Sequence, residues 1–166
     1  MAVIQTRQVR FGLVEGSGKG REVALAPNQY LHRAGGHFVR LRPNGMATLC
    51  ASTTGDVNVY GWVESPKQAD GYEAWKGSST AKADSAFCYY ADPDNVFEIP
   101  ADEAGASVNA TWLGRGVGLK LSGSTYTIKQ KAKRATKVAS TLIVVGFDKA
   151  AKTVLVKVKQ TKRQGN

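Results

Sequence analysis

The chain has 166 residues, 42% of them apolar and 22% charged, which suits one globular domain, or two small β lobes sharing a core, without metal or disulfide staples. Its net charge of +10 divides into +5 over residues 1–55, −7 over 56–105 and +12 over 106–166, so a uniformly basic nucleic-acid surface is excluded. No apolar run approaches the roughly 18 residues of a membrane span, no signal-peptide pattern opens the chain, and 18 glycines point to many short strands.

In chain order, Ala2 to Phe11 has no proline or glycine and reads as an extended arm, with Arg7, Val9, Arg10 and Phe11 available to a partner. Gly16-Ser17-Gly18-Lys19-Gly20 resembles a phosphate loop only superficially. Leu13 stands where the motif needs its first glycine and Gly20 where it needs Ser or Thr, so a flexible basic turn is the better assignment. From Glu22 to Val63 short alternating runs predict strand after strand, with Pro43-Asn44-Gly45 as a turn whose residues accept the required dihedrals. Ser65 to Asp84 reads as a long mid-chain loop with at most one helical turn. Within it Tyr72 and Trp75 either face a partner or fold back on their own domain.

The second half predicts strands at Ala86 to Tyr90 and Val96 to Ile99, then at Val108 to Leu113 and Val117 to Leu121. A basic run follows at Lys129, Lys131, Lys133, Arg134 and Lys137. Leu142 to Val145 has the unbroken apolar character of a strand buried on both faces. Asp148 to Lys152 makes a turn, and Val154, Val156 and Val158 alternate with Lys157 and Lys159, which completes a hairpin. No internal repeat is evident. The fold class expected is all-β, an antiparallel β-sandwich or barrel with an extended N-terminal arm and a long mid-chain loop. Its domains divide as 1–21 arm and flexible turn, 22–160 β domain (two lobes, 22–64 and 86–160, joined by loop 65–85, being one variant), and 161–166 a basic disordered tail.

Groupings that carry chemistry are sparse. His32 and His37 lie in strand-and-turn text without a metal spacing and read as surface histidines. Cys50 and Cys88 lack CxxC spacing and read as reduced core thiols rather than a disulfide. The carboxylates Asp92, Asp94, Asp102 and Glu103 sit in turn text. The expectation is a protein that is not an enzyme and has no cofactor, no metal and no small-molecule substrate. The basic run is read as a solvated or protein-facing surface ahead of a nucleic-acid one, because no aromatic signature of base stacking accompanies it.

Three stretches carry a resemblance: Val96-Phe97-Glu98-Ile99-Pro100-Ala101, the Trp112-Leu113-Gly114-Arg115 segment, and Leu142-Ile143-Val144-Val145-Gly146-Phe147-Asp148 with Val154-Leu155-Val156-Lys157-Val158. Their order resembles the small cement, or head-decoration, proteins of tailed bacteriophages over roughly the second half of the chain. The resemblance implies a non-enzymatic virion protein, made in the host cytoplasm, on the outer surface of the capsid. There it would bridge neighbouring major capsid protein subunits as a homo-oligomer or lattice of copies. Contact residues expected on that basis are the arm residues, Tyr72 and Trp75, and the basic run from Lys129 through Lys131 and Lys133 to Arg134. A nonspecific nucleic-acid-binding β domain and a tail or fibre component remain the alternatives.

Overall fold

A computed structural model of the chain describes residues 11–32, 35–50, 58–65, 74–102, 108–122, 129–134 and 140–164. Among these the architecture is all-β, with antiparallel sheets and two 3-10 turns as its only helical elements. The first half supplies β1 (Gly12–Glu15), β2 (Gly20–Ala24), β3 (Tyr30–His32), β4 (Gly36–Leu41), β5 (Ala47–Leu49), β6 (Gly61–Glu64), β7 (Ala74–Lys76) and β8 (Ser85–Tyr90). The second half supplies β9 (Val96–Pro100), β10 (Gly116–Ser122), β11 (Lys129–Arg134), β12 (Leu142–Asp148) and β13 (Thr153–Val158).

These strands form a five-stranded sheet in the order β2-β8-β6-β4-β5, a six-stranded sheet in the order β1-β9-β13-β12-β10-β11, and the small pair β3-β7. Each large sheet curls until two strands far apart in that order meet. Leu25, just past β2, bridges Ala47 of β5 in parallel, and Ala101, just past β9, bridges Ala132 of β11 in parallel.

The two curled sheets are therefore one topology used twice, with β2, β4, β5, β6 and β8 matching β9, β10, β11, β12 and β13 in chain order. The match extends to register. Leu25 N donates to Asp84 O at 2.9 Å as Ala101 N does to Lys152 O at 3.0 Å, and Ala26 N to Ala47 O at 3.0 Å as Asp102 N does to Ala132 O at 2.7 Å. Likewise Tyr60 N reaches Val39 O at 2.8 Å as Thr141 N reaches Val117 O at 3.1 Å. A repeat that the sequence does not display is thus present in the backbone. The strand connections differ in length between the halves, so no constant spacing marks it.

The inward positions of the first sheet, including Val23, Leu25, Val39, Val63 and Cys88, form one core. A larger core takes Ile99, Val117, Leu142, Val144, Val154 and Val156 from the second sheet and adds Phe38, Trp62 and Cys50 from the outer side of the first. There Phe38, Trp62 and Phe97 pack edge-on or stacked, with ring centroids 4.9 to 6.1 Å apart. The halves share this core, so they pack as one folding unit, as either one domain or two lobes on a common core would. The lobe limits 22–64 and 86–160 divide the strands wrongly: β8 belongs to the first sheet, and β1, ahead of residue 22, belongs to the second.

Other expectations need correction. Residues 1–21 are not all arm and flexible turn, since β1 pairs with β9, β2 begins at Gly20, and Asn95 Oδ1 accepts from Ser17 N at 3.0 Å to pin the glycine-rich turn. The stretch from Ser65 to Asp84 is not all loop, because β7 pairs with β3. Nor is β12 buried on both faces: Leu142 and Val144 point inward, whereas Val145 is 44% exposed. The tail from Thr161 is ordered through Gln164. A 3-10 turn (Gln160–Lys162) leads into Arg163, which bridges Val59, and the Gln164 carboxamide accepts from Leu41 N at 2.8 Å and donates to Leu41 O at 2.6 Å. Both expected turns are present, with Gly45 at φ +78° between β4 and β5 and Asp148 Oδ1 accepting from Ala151 N at 2.9 Å between β12 and β13.

Candidate functional site

The sequence text from Lys129 to Arg134 folds as a strand, β11, and its alternation divides the basic run between two faces. Gln130 and Ala132 are buried, Lys133 is exposed and Lys131 half-buried. Opposite them on β10, Ser122 pairs with Lys129, Lys120 with Lys131, and Gly118 with Lys133. Lys120, Lys131 and Lys133 thus lie on one outer face, because residues directly opposite in an antiparallel pair share a side of the sheet.

At the sheet closure Asp102 reaches into this face. Its Oδ2 accepts from Lys120 Nζ at 2.8 Å, and its Oδ1 lies 3.7 Å from Lys131 Nζ. The hydrogen bond from Lys120, with the positive charge of Lys120, Lys131 and Lys133, holds the Asp102 carboxyl below the usual carboxylate range despite partial burial. One carboxylate among three lysines leaves the face net positive. Such a face can dock an acidic surface, and its attraction weakens as salt screens it.

Arg134 does not share that face. Its guanidinium lies 4.6 Å from the centre of the buried Trp112 ring, so its charge is used in a cation–π contact within the fold. Lys157 stands opposite Ile143 in β13, and Lys159 Nζ donates to Ser140 Oγ.

The other expected contact residues scatter. Arg7, Val9, Arg10 and Tyr72 lie outside the described residues. Phe11 is half-buried against the larger core with its ring 5.6 Å from that of His32, so it anchors the start of β1. Trp75 sits opposite Leu31 and packs on the first core, which resolves its two alternatives in favour of its own domain. Lys120 and Asp102 join the site from outside the basic run. Only the pairing of β10 with β11 and the turn of chain after β9 bring them there. The alternation of Lys120 with leucines was the one available signal.

Neither histidine is on the surface. His32 is 8% and His37 1% exposed, because β3 and the start of β4 fold over one end of the first core. Burial, helped by nearby His32, lowers His37 to about 3, and the Tyr30 backbone offsets this only in part. Cys50 and Cys88 are buried free thiols, and burial raises both, Cys88 to about 12. Among the described residues no three His, Cys, Asp or Glu side chains gather as a metal site would need. No helix there is long and apolar enough to cross a membrane. No family model matches the chain, and neither a curated protein nor a solved structure matches it.

Proposed function

We propose that this chain is a non-enzymatic virion structural protein that binds the outer surface of a phage capsid and stabilises it by bridging neighbouring coat subunits. The observation that carries the reading is the β10–β11 outer face, where Lys120, Lys131 and Lys133 surround a single aspartate on a sheet locked into a shared core. A rigid β body bearing a net positive face suits attachment to a fixed acidic surface, and electrostatic complementarity sets orientation there more than raw affinity. Three strands of the second sheet, β9, β12 and β13, are also among the stretches that carry the resemblance to the cement proteins, which supplies the capsid as the partner. The Trp112 to Arg115 stretch begins in a 3-10 turn and not in a strand. Nucleic acid competes for the same lysines through its phosphates.

The deciding experiment is co-sedimentation of the purified protein with filled and empty heads lacking it, with free DNA as competitor. Saturation at a fixed ratio to coat subunits, indifferent to DNA, is the expected result. Failure to sediment with heads, together with salt-sensitive capture by DNA, would overturn the capsid reading in favour of the nucleic-acid one.

A further inference from the structure

The repeated topology is unequal in one place. In the second sheet β9 has partners on both sides, β13 on one and β1 on the other, with Gly12 opposite Glu98 and Glu15 opposite Val96. Its counterpart β2 pairs with β8 alone, and no described residue pairs with its other edge before the bridge at Leu25.

The free groups follow from alternation. Lys19 and Leu25 bond to the β8 side, with Tyr90 N donating to Lys19 O and Leu25 N to Asp84 O, so Gly20 and Glu22 aim their N–H and C=O groups away from β8, while Ala24 borders the Leu25–Ala47 bridge. By register Glu22 stands where Glu98 stands. Glu98 is only 2% exposed, whereas Glu22 is exposed. Among the described residues the first sheet thus has an open strand position that β1 fills in the second.

We propose that this edge of β2 accepts an extended strand from a second copy of the chain, formed by residues 2–10, which pair antiparallel as β1 does on β9. The donor follows from length and placement. Residues 2–10, which lead directly into Phe11, reach roughly 30 Å in extended form. That stretch contains no glycine or proline and carries Val3, Ile4, Thr6 and Val9, all β-branched. Because Phe11 is fixed in the core beside β1, the donor leaves from one sheet and the acceptor lies on the other. The donor and acceptor are then different surfaces, so each single contact leaves one donor and one acceptor free, which bind further copies or close as a reciprocal exchange within one pair. This self-association does not depend on the capsid reading.

The test uses two full-length variants in sedimentation velocity. Glu22→Pro removes an N–H that faces the open edge and spares the β8 pairing, and an edge position tolerates proline. Thr6→Pro with Arg7→Pro blocks both edges of the donor. Wild type should associate with rising concentration, each variant alone should stay monomeric with an unchanged thermal midpoint, and an equimolar mixture of the two should form a 1:1 pair. A monomeric wild type, or variants that associate as wild type does, would overturn the proposal. Should Glu22→Pro not fold, a synthetic peptide of residues 1–10 replaces it. Saturable 1:1 binding to the Thr6→Pro, Arg7→Pro variant supports the contact, and absence of binding overturns it.

Discussion

The Gln130 side chain is hydrogen-bonded to the Phe38 backbone as a neighbouring strand would be: its Oε1 accepts from Phe38 N at 2.7 Å and its Nε2 donates to Phe38 O at 3.2 Å. The same Nε2 donates to Cys50 O at 2.8 Å. One carboxamide from β11 of the second sheet thus satisfies β4 and the end of β5 in the first, inside the aromatic junction of Phe38, Trp62 and Phe97. Gln164 does the same for Leu41 further along β4, so two glutamines distant in sequence lock the halves together.

Gln130→Met keeps the volume and removes the bonds, leaving Phe38 N–H and Cys50 C=O buried without partners. At about 1–3 kcal/mol for each orphaned group, the variant should lose roughly 2–4 kcal/mol in urea unfolding. Gln130→Glu should lose at least as much, since a carboxylate cannot donate to Cys50 O and its charge would be buried. A loss below about 0.5 kcal/mol for both would show that the junction relaxes around the site.

Stability should fall on the acid side through His37. Its folded pKa is lowered to about 3 from an ordinary value of 6.5, so between these limits the unfolded chain binds a proton that the folded chain does not. The contribution is complete above pH 6.5 and declines as pH falls toward 3, by at most about 1.4 kcal/mol per pH unit. Urea midpoints measured from pH 7.5 to 4.5 should show a steeper decline for wild type than for His37→Leu. Parallel curves would locate the acid sensitivity elsewhere.

What the sequence made legible was alternation. The β12–β13 hairpin, the Pro43-Asn44-Gly45 turn and the turn at Asp148 each follow from a few adjacent residues. The pairing of β3 with β7 was not legible, because strands of three residues leave too little periodicity and a long intervening stretch hides the partner. The repeat was hidden for a different reason. Corresponding inward positions such as Val39 and Val117, Leu41 and Leu119, or Ala47 and Ala132 need only be apolar, while outward ones such as Trp62 and Ile143 serve different neighbours. In the basic run the charge was visible but its division between faces was not. Arg134 belongs to the Trp112 contact and Gln130 to the junction, and only the strand assignment separates them from Lys131 and Lys133.

The basic face should be separable from stability. Lys131→Gln with Lys133→Gln should weaken attachment to heads and flatten its salt dependence. The melting temperature should change little, because partly exposed ion pairs contribute below about 1 kcal/mol. Asp102→Asn should act in the opposite sense on binding by releasing Lys120 and Lys131 from their carboxylate. Equal attachment of all three proteins across a salt series would remove this face from the docking surface.

Both thiols should be silent in the native protein. Cys50 and Cys88 are fully buried, and burial raises both so that the thiolate is scarce at pH 8. A thiol-reactive dye should therefore label neither until denaturant unfolds the chain, whereupon two equivalents should react together. Fast labelling of one equivalent without denaturant would mean that the sheet junction around Cys50, or the first core around Cys88, opens independently of global unfolding.

Truncation after Gln160 tests whether the chain end is structural. Removing 161–166 deletes Lys162 O, which accepts from Val59 N at 2.7 Å, and Gln164 N, which donates to Val59 O at 2.8 Å, as well as the carboxamide on Leu41. Val59 is fully buried, so its freed backbone groups are poorly placed to recover partners in water. The truncated chain should lose about 2–4 kcal/mol. Gln164→Ala, which spares the Val59 bonds, should lose about half as much. A disordered tail would predict no change in either, so a truncated protein as stable as the full chain would return residues 161–166 to that description and leave the carboxamide of Gln130, with the aromatic junction around it, to tie β4 to the second sheet.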